Sequence, residues 1–190
     1  MTGSDTPIST EMDPFLDAIA SREVAPAGGS GAAAVGAIGA ALAEMAAVHT
    51  AAAGQQGDQV EGIGERLAAD RRLLLELADA DARIVESAFG GTPDLDRRTH
   101  EQLVAVPLAI AETCLNVLSG ARELSELSID SVGQDLQTGR MLVTGALRAA
   151  LATASGNLDF LEGPARERLA DRVTAAENAA ASLSDADRRE

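Results

Sequence analysis

Residues 24–45 read VAPAGGSGAAAVGAIGAALAEM, a helix-length stretch with almost no functional groups. Ala and Gly bury little area compared with Leu or Phe, so this segment cannot hold a fold together by bulk. Gly36 and Gly39 fall inside the expected helix, where each costs about 1 kcal/mol against Ala. Close approach is the usual compensation: a helix surfaced with small residues admits a neighbour nearer than the ordinary ~8–10 Å, or leaves room for a ligand. In a bundle, larger residues such as Leu73, Leu74, Val104 and Leu108 would cover its Ala face. Ser30 reads as the N-cap after Gly28 and Gly29, which leaves unpaired N–H groups at the positive end of the helix, where an anion or polar ligand edge can bind.

Outward from this helix, Gly and Pro punctuate segments that all carry helical periodicity, and no alternating strand pattern occurs. The expected fold class is all-α: a single-domain helical bundle over residues 11–183, with flexible ends at 1–10 and 184–190. A first helix is expected to open at Asp13 as cap, with Pro14 in its first turn. The clearest periodicity runs from about 58 to 88, where Val60, Ile63, Leu67, Leu74, Leu77, Ile84 and Ala88 recur in steps of three and four. Extending that stripe places Asp70 and Asp81 on it. A fourth helix is expected from near 94, kinked or broken at Pro107, then one over 132–157 and a charge-rich one from 164.

Composition narrows the function. The net charge is −15 and every basic residue is Arg, so the chain has no basic face for a phosphate backbone and no Lys for Schiff-base chemistry. We expect no nucleic-acid partner. The single Cys114 lies in an apolar helical pattern and reads as a small buried hydrophobe. Three Phe and no Trp or Tyr leave little aromatic surface, so a flat ligand would rest mostly on aliphatic walls. His49 and His100 are isolated, and no metal site is expected. The most apolar run, 31–43, falls short of the ~20 residues that span a bilayer, and no charged-then-apolar leader opens the chain. A cytoplasmic protein with no membrane partner is the expectation.

The stretch FLDAIASREVAPAGGSGAAAVGAIGAALAEM resembles the opening of the cyclodeaminase/cyclohydrolase family, which carries a Pro-Gly-Gly-Gly-Ser loop before a small-residue helix. LADADAR at 77–83, VAVPLAIAETCLNVL at 104–118 and SIDSVG at 128–133 agree in order and spacing. The resemblance implies an all-helical homodimer with a groove near the subunit interface. It also implies a small-molecule substrate of folate type, carrying one carbon between two nitrogens, and no cofactor. Residue by residue, Gly28, Gly29 and Ser30 match the glycine loop, with Ala27 in place of its first Gly, and Asp81 matches the carboxylate of the DAD stretch. Asp130 and Ser131 stand where the family has Ser then Asp. Segment HTAAAGQQGDQ replaces a basic, aromatic-containing segment, and Ala149 and Thr153 stand in for family asparagines, leaving Asn157 nearby.

Asp81 on an apolar stripe is the sharpest feature of the pattern. Burial raises a carboxyl pKa and a nearby cation lowers it, so Asp81 is either an acid–base group or half of an ion pair, with Arg140 as one possible partner. As a catalytic group it would attract a methenyl amidinium and take a proton from attacking water, or protonate departing ammonia. Asp130 is the second catalytic candidate, and with Ser131 it reads equally as a cap for the following helix. For a glutamate-like tail, Arg22 before the glycine loop and Arg140 on the late helix are the candidates. Asp70, amid Arg66, Arg71 and Arg72, reads as a solvated charged face. The expected activity is hydrolysis or cyclisation at an amidine-type C–N bond; a relative acting on a non-folate substrate, or a non-catalytic dimeric module, is the alternative.

Overall fold

The computed structural model describes residues 6–54, 57–91 and 96–187, the last four as backbone alone. Six helices follow in order: α1 (Ile8–Ile19), α2 (Gly28–Ala52), α3 (Gly57–Phe89), α4 (Arg97–Ser125), α5 (Gly133–Asn157) and α6 (Gly163–Asp187), with 3-10 turns at Asp130–Val132 and Leu158–Phe160. No strand occurs among the described residues, and the fold is all-α as expected. Helix α2 is central, packed mainly on α3 and α5, with α4 behind and α6 outside it. Gly39 explains the small-residue helix: a Cβ there would stand 2.7 Å from the Gly139 carbonyl oxygen, and a Cβ on Gly139 would stand 2.7 Å from that of Gly39. Two backbones therefore touch at the α2–α5 crossing. Gly36 is looser, its nearest neighbour being Cys114 Sγ at 3.2 Å.

Several boundaries differ from expectation. Helix α1 begins at Ile8 and runs through Pro14. Thr10, whose carbonyl loses its helical donor to that proline, is exposed, so water serves it. None of α1's residues is buried. Residue 94 lies outside the described residues; α4 opens at Arg97 with Asp96 as its cap, which accepts from the Thr99 N–H at 2.7 Å. Helix α6 continues to Asp187, beyond the expected end at 183. Both α2 and α4 are long and apolar enough to cross a bilayer by length and composition, more than run 31–43 suggested, and about half of each such window is buried in the bundle.

Pro107 neither breaks nor ends α4, which is one helix through it. A proline at 107 removes the N–H that would bond the Leu103 carbonyl. Asn157 at the end of α5 supplies the substitute, its Nδ2 donating to the Leu103 oxygen at 2.7 Å. Buried carbonyls need such a partner. Asn157→Ala is expected to cost about 1–2 kcal/mol by stranding that oxygen, read as a lower urea midpoint with unchanged slope. An unchanged midpoint would show that water reaches the carbonyl.

On α3 the inward face is Val60, Ile63, Leu67, Leu74, Ala78, Asp81 and Ala88, while Leu77 and Ile84 sit on its shoulder. Asp70 is no solvated charge. It is half-buried in the α3–α4 cleft beside Asn116 and Ser119, and burial raises its pKa more than Arg66 lowers it. Two of its expected partners are engaged elsewhere, Arg66 with Glu123 at 2.7 Å and Arg71 with Glu44 at 2.6 Å. Cys114 is buried, and burial followed by the Asp70 charge pushes its thiol up to about 12, too high for a nucleophile at neutral pH.

Candidate functional site

The antiparallel packing of α3 on α2 brings Asp81 to the first turn of α2. Ser30 is not the cap; Ala27 is, in extended conformation, and no side chain bonds locally there. Ser30 instead lies one turn in, fully buried, and its two donors point across to α3. The Ser30 N–H donates to Asp81 Oδ2 at 2.7 Å and the Ser30 hydroxyl lies 2.8 Å from the same oxygen and 3.1 Å from the Ala78 carbonyl. Asp81 thus satisfies an orphan N–H of α2 from the neighbouring helix, where the helix dipole favours negative charge. Gly29 makes this possible: a Cβ on it would stand 2.5 Å from Asp81 Cγ. Gly28 is exposed and faces open space.

Asp81 is 4% exposed. No ion pair reaches it, neither from Arg140 nor from any other described residue. Burial raises its pKa, and the Ser30 side-chain and backbone hydrogen bonds oppose that rise. Among the described residues, only Oδ2 has a hydrogen-bond partner. No fully buried side-chain oxygen among the described residues lacks a partner, so the residual exposure includes Oδ1.

A groove begins one turn away from the carboxyl. Ala34 and Ala78 lie in it, on α2 and α3, with Met12 and Phe15 of α1, Ile38 and Leu75 as apolar walls. Its volume is about 490 Å³, and Arg71 and Asp79 stand at its edges. The small residues of α2 give this hollow its floor, so the stretch at 24–45 serves both close approach and open space. Sequence patterning did not single out Ala78 or Arg71; Ala78 sits one turn before Asp81 on the same stripe, which was the available signal.

The other candidates lie apart. Asp130 and Ser131 are exposed in the 3-10 turn, which is tied to the far end of α2 by the Ile129 N–H and Thr50 Oγ1 at 3.4 Å. Ser30 and Thr50 are separated by about 30 Å of helix, so within one chain Asp130 does not join Asp81. Neither caps α5, which opens at Val132 with no side-chain cap. Arg140 lines a small cavity with Arg122 and Arg148 between α4, α5 and α6, on the side of α5 away from α2. Arg22 is exposed in the segment before the glycine pair. Among the described residues no His, Cys, Asp and Glu side chains cluster as metal ligands would.

Residues 11–175 match the family model described as formiminotransferase-cyclodeaminase. The formimidoyltransferase-cyclodeaminase of Rattus norvegicus is 34% identical over 178 residues, 84% of this chain and 33% of that protein. The protein of the same name from Sus scrofa is 32% identical over 178 residues, with the same coverage of 84% and 33%. The chain spans about a third of the length of these relatives. Its fold superposes on the crystal structure of formiminotetrahydrofolate cyclodeaminase from Thermotoga maritima with a TM-score of 0.84 over 90% of each chain, at 21% identity. A buried carboxyl on the second long helix, seated on a diglycine turn that opens a small-residue helix, and a match over nearly the whole bundle lead to one assignment: the chain belongs to the formiminotransferase-cyclodeaminase family.

Proposed function

We propose that the chain is an enzyme of cyclodeaminase/cyclohydrolase type, making or breaking a C–N bond at the amidine carbon of a tetrahydrofolate one-carbon unit, with Asp81 as its acid–base group. The observation that carries this reading is a carboxyl buried with no cationic partner among the described residues, one oxygen held by Ser30, one turn from a groove floored by small residues. A delocalised amidinium would supply the missing positive charge. In hydrolysis, a water oxygen bonds to the bridging carbon while one of its protons passes to Asp81; the carbon–nitrogen bond then breaks with that nitrogen taking the proton back from Asp81, and the remaining hydroxyl proton leaves to solvent as the formyl C=O forms. In deamination, the folate nitrogen that does not carry the formimino group bonds to the formimino carbon and gives up its proton, and the former imino nitrogen, protonated in exchange, leaves as ammonia. A raised carboxyl pKa brings such exchange closer to neutral pH. The activity named for the Thermotoga maritima structure, formiminotetrahydrofolate cyclodeaminase, supports folate as the carrier, and Arg71 is the groove's cation for an anionic tail.

The reading includes a homodimer. The outer face of α2 stays apolar along its length, with Val35, Ile38 and Val48 exposed at 38%, 44% and 60%. A helix apolar all round calls for a cover on every side. A twofold, antiparallel pairing of these faces would lay the far end of one α2 against the near end of the other. That would bring Asp130 and Ser131 of the partner subunit towards Asp81, restoring the pair that one chain separates. Ile38→Glu is expected to give a folded monomer by sedimentation with turnover reduced at least about tenfold, since a buried unpaired charge is costly at an interface. A dimer of unchanged affinity would refute this interface.

The function is tested by following the near-ultraviolet absorbance of methenyltetrahydrofolate with purified protein; accelerated loss supports the reading. A second reading keeps the fold and carboxyl and exchanges folate for a substrate without a glutamate tail. It is favoured by Arg71 being already paired with Glu44 and by Arg140 facing away. Neither binding nor turnover of the folate would direct attention to it.

A further inference from the structure

We infer that Ser30 is a positioning residue that assigns different tasks to the two oxygens of Asp81, holding Oδ2 as an acceptor and leaving Oδ1 as the atom that exchanges the proton. This rests on the acid–base reading of Asp81 and goes beyond it, because it gives a task to Ser30, which contacts the carboxyl and the Ala78 carbonyl. Both Ser30 donors converge on Oδ2, at 2.7 Å and 2.8 Å. A hydrogen on Oδ2 would compete with the two Ser30 donors already directed at that oxygen, whereas no donor is directed at Oδ1, so the hydrogen of the neutral acid is assigned to Oδ1. The hydroxyl can turn. It has one hydrogen and two acceptors, Asp81 Oδ2 and the Ala78 carbonyl at 3.1 Å. With Asp81 ionised, the charge-assisted bond to Oδ2 is the stronger. When Oδ1 takes a proton, Oδ2 becomes a weaker acceptor and the hydroxyl turns to Ala78, while the N–H remains on Oδ2. The proton count is closed: one proton arrives at Oδ1, and the Ser30 hydrogen only changes acceptor.

Among the described residues, Ser30 is the polar side chain hydrogen-bonded to this carboxyl. The charged side chains nearest in sequence to the pair are Arg22 and Glu23 before α2 and Asp79 and Arg83 on α3, and no ion pair joins any of them to Asp81. Burial raises the Asp81 pKa, and the two Ser30 bonds oppose that rise. Removing the hydroxyl must therefore move the Asp81 midpoint upward, since the lost bond favoured the ionised form.

The test compares wild type with Ser30→Ala in protein labelled with ¹³C at Asp carboxyls, the Asp81 signal being assigned by its loss in Asp81→Asn. The titration midpoint is expected to rise in Ser30→Ala, and the variant to lose several-fold more turnover in mildly acidic than in mildly alkaline buffer. Ser30→Thr, which keeps a hydroxyl, is expected to return the midpoint towards wild type. An unchanged midpoint in folded Ser30→Ala overturns the inference. A raised midpoint in a protein whose wild type does not process methenyltetrahydrofolate keeps the inference and rejects the folate reading. Should Ser30→Ala fail to fold, Ser30→Gly, which keeps the N–H, is titrated in its place with the same two outcomes.

Discussion

Gly39→Ala is expected to destabilise the bundle by about 2 kcal/mol net, even though Ala is the better helix former by about 1 kcal/mol. The new methyl would stand 2.5 Å from Val143 Cγ2 and 2.7 Å from the Gly139 carbonyl oxygen. A side-chain tip can rotate, but a backbone carbonyl inside a helix cannot, so α2 and α5 must separate along their whole crossing. Gly139→Ala meets the reciprocal obstacle, the Gly39 carbonyl at 2.7 Å, and should behave alike. Gly36→Ala is the control. Its nearest contacts are Cys114 Sγ at 3.2 Å and Ala146 Cβ at 3.4 Å, so the helix gain and the crowding roughly cancel. Urea denaturation of the three variants decides the matter; equal midpoints for Gly36→Ala and Gly39→Ala would remove close approach as the reason for the small-residue helix.

Periodicity made the helices and the burial of Asp81 legible, because a stripe at steps of three and four locates a face without knowing what covers it. Partnership across helices was not legible. Ser30 looked like a cap because Gly-Gly-Ser before an apolar run is a local signal, whereas its true partner is 51 positions away and depends on how α3 is set against α2. Pro107 looked like a break because the chain between 97 and 125 does not contain the donor that repairs it; Asn157 lies 54 positions on from Leu103, whose carbonyl it serves. Asp70 looked solvated because its arginines are near in sequence, yet Arg66 and Arg71 reach other helices. For Asp130, motif order suggested a site that one chain divides between the two ends of α2. Of the donors at the glycine loop, those of Ser30 are taken by the protein's own carboxyl, while Gly28 faces open space.

Asp81→Asn carries the other large effect. An amide oxygen can still accept from the Ser30 N–H and hydroxyl, so the first turn of α2 keeps its partner and the protein should fold. An amide cannot exchange a proton at the position of Oδ1. General acid–base help contributes about 10²–10⁴ in rate, and that is the loss expected. Asp81→Leu is different in kind: it strands the Ser30 N–H in a buried site while the hydroxyl keeps only the Ala78 carbonyl, and instability of about 1–3 kcal/mol would obscure any effect on chemistry. The informative variant is therefore the amide.

The most direct measurement is the rate of methenyltetrahydrofolate loss with wild type and with Asp81→Asn, at equal concentrations of protein with matched far-ultraviolet circular dichroism. A wild-type rate well above the uncatalysed background, with the variant at least about a hundredfold slower, is the predicted result. A variant as fast as the wild type would contradict the assignment of the reaction's proton to Asp81.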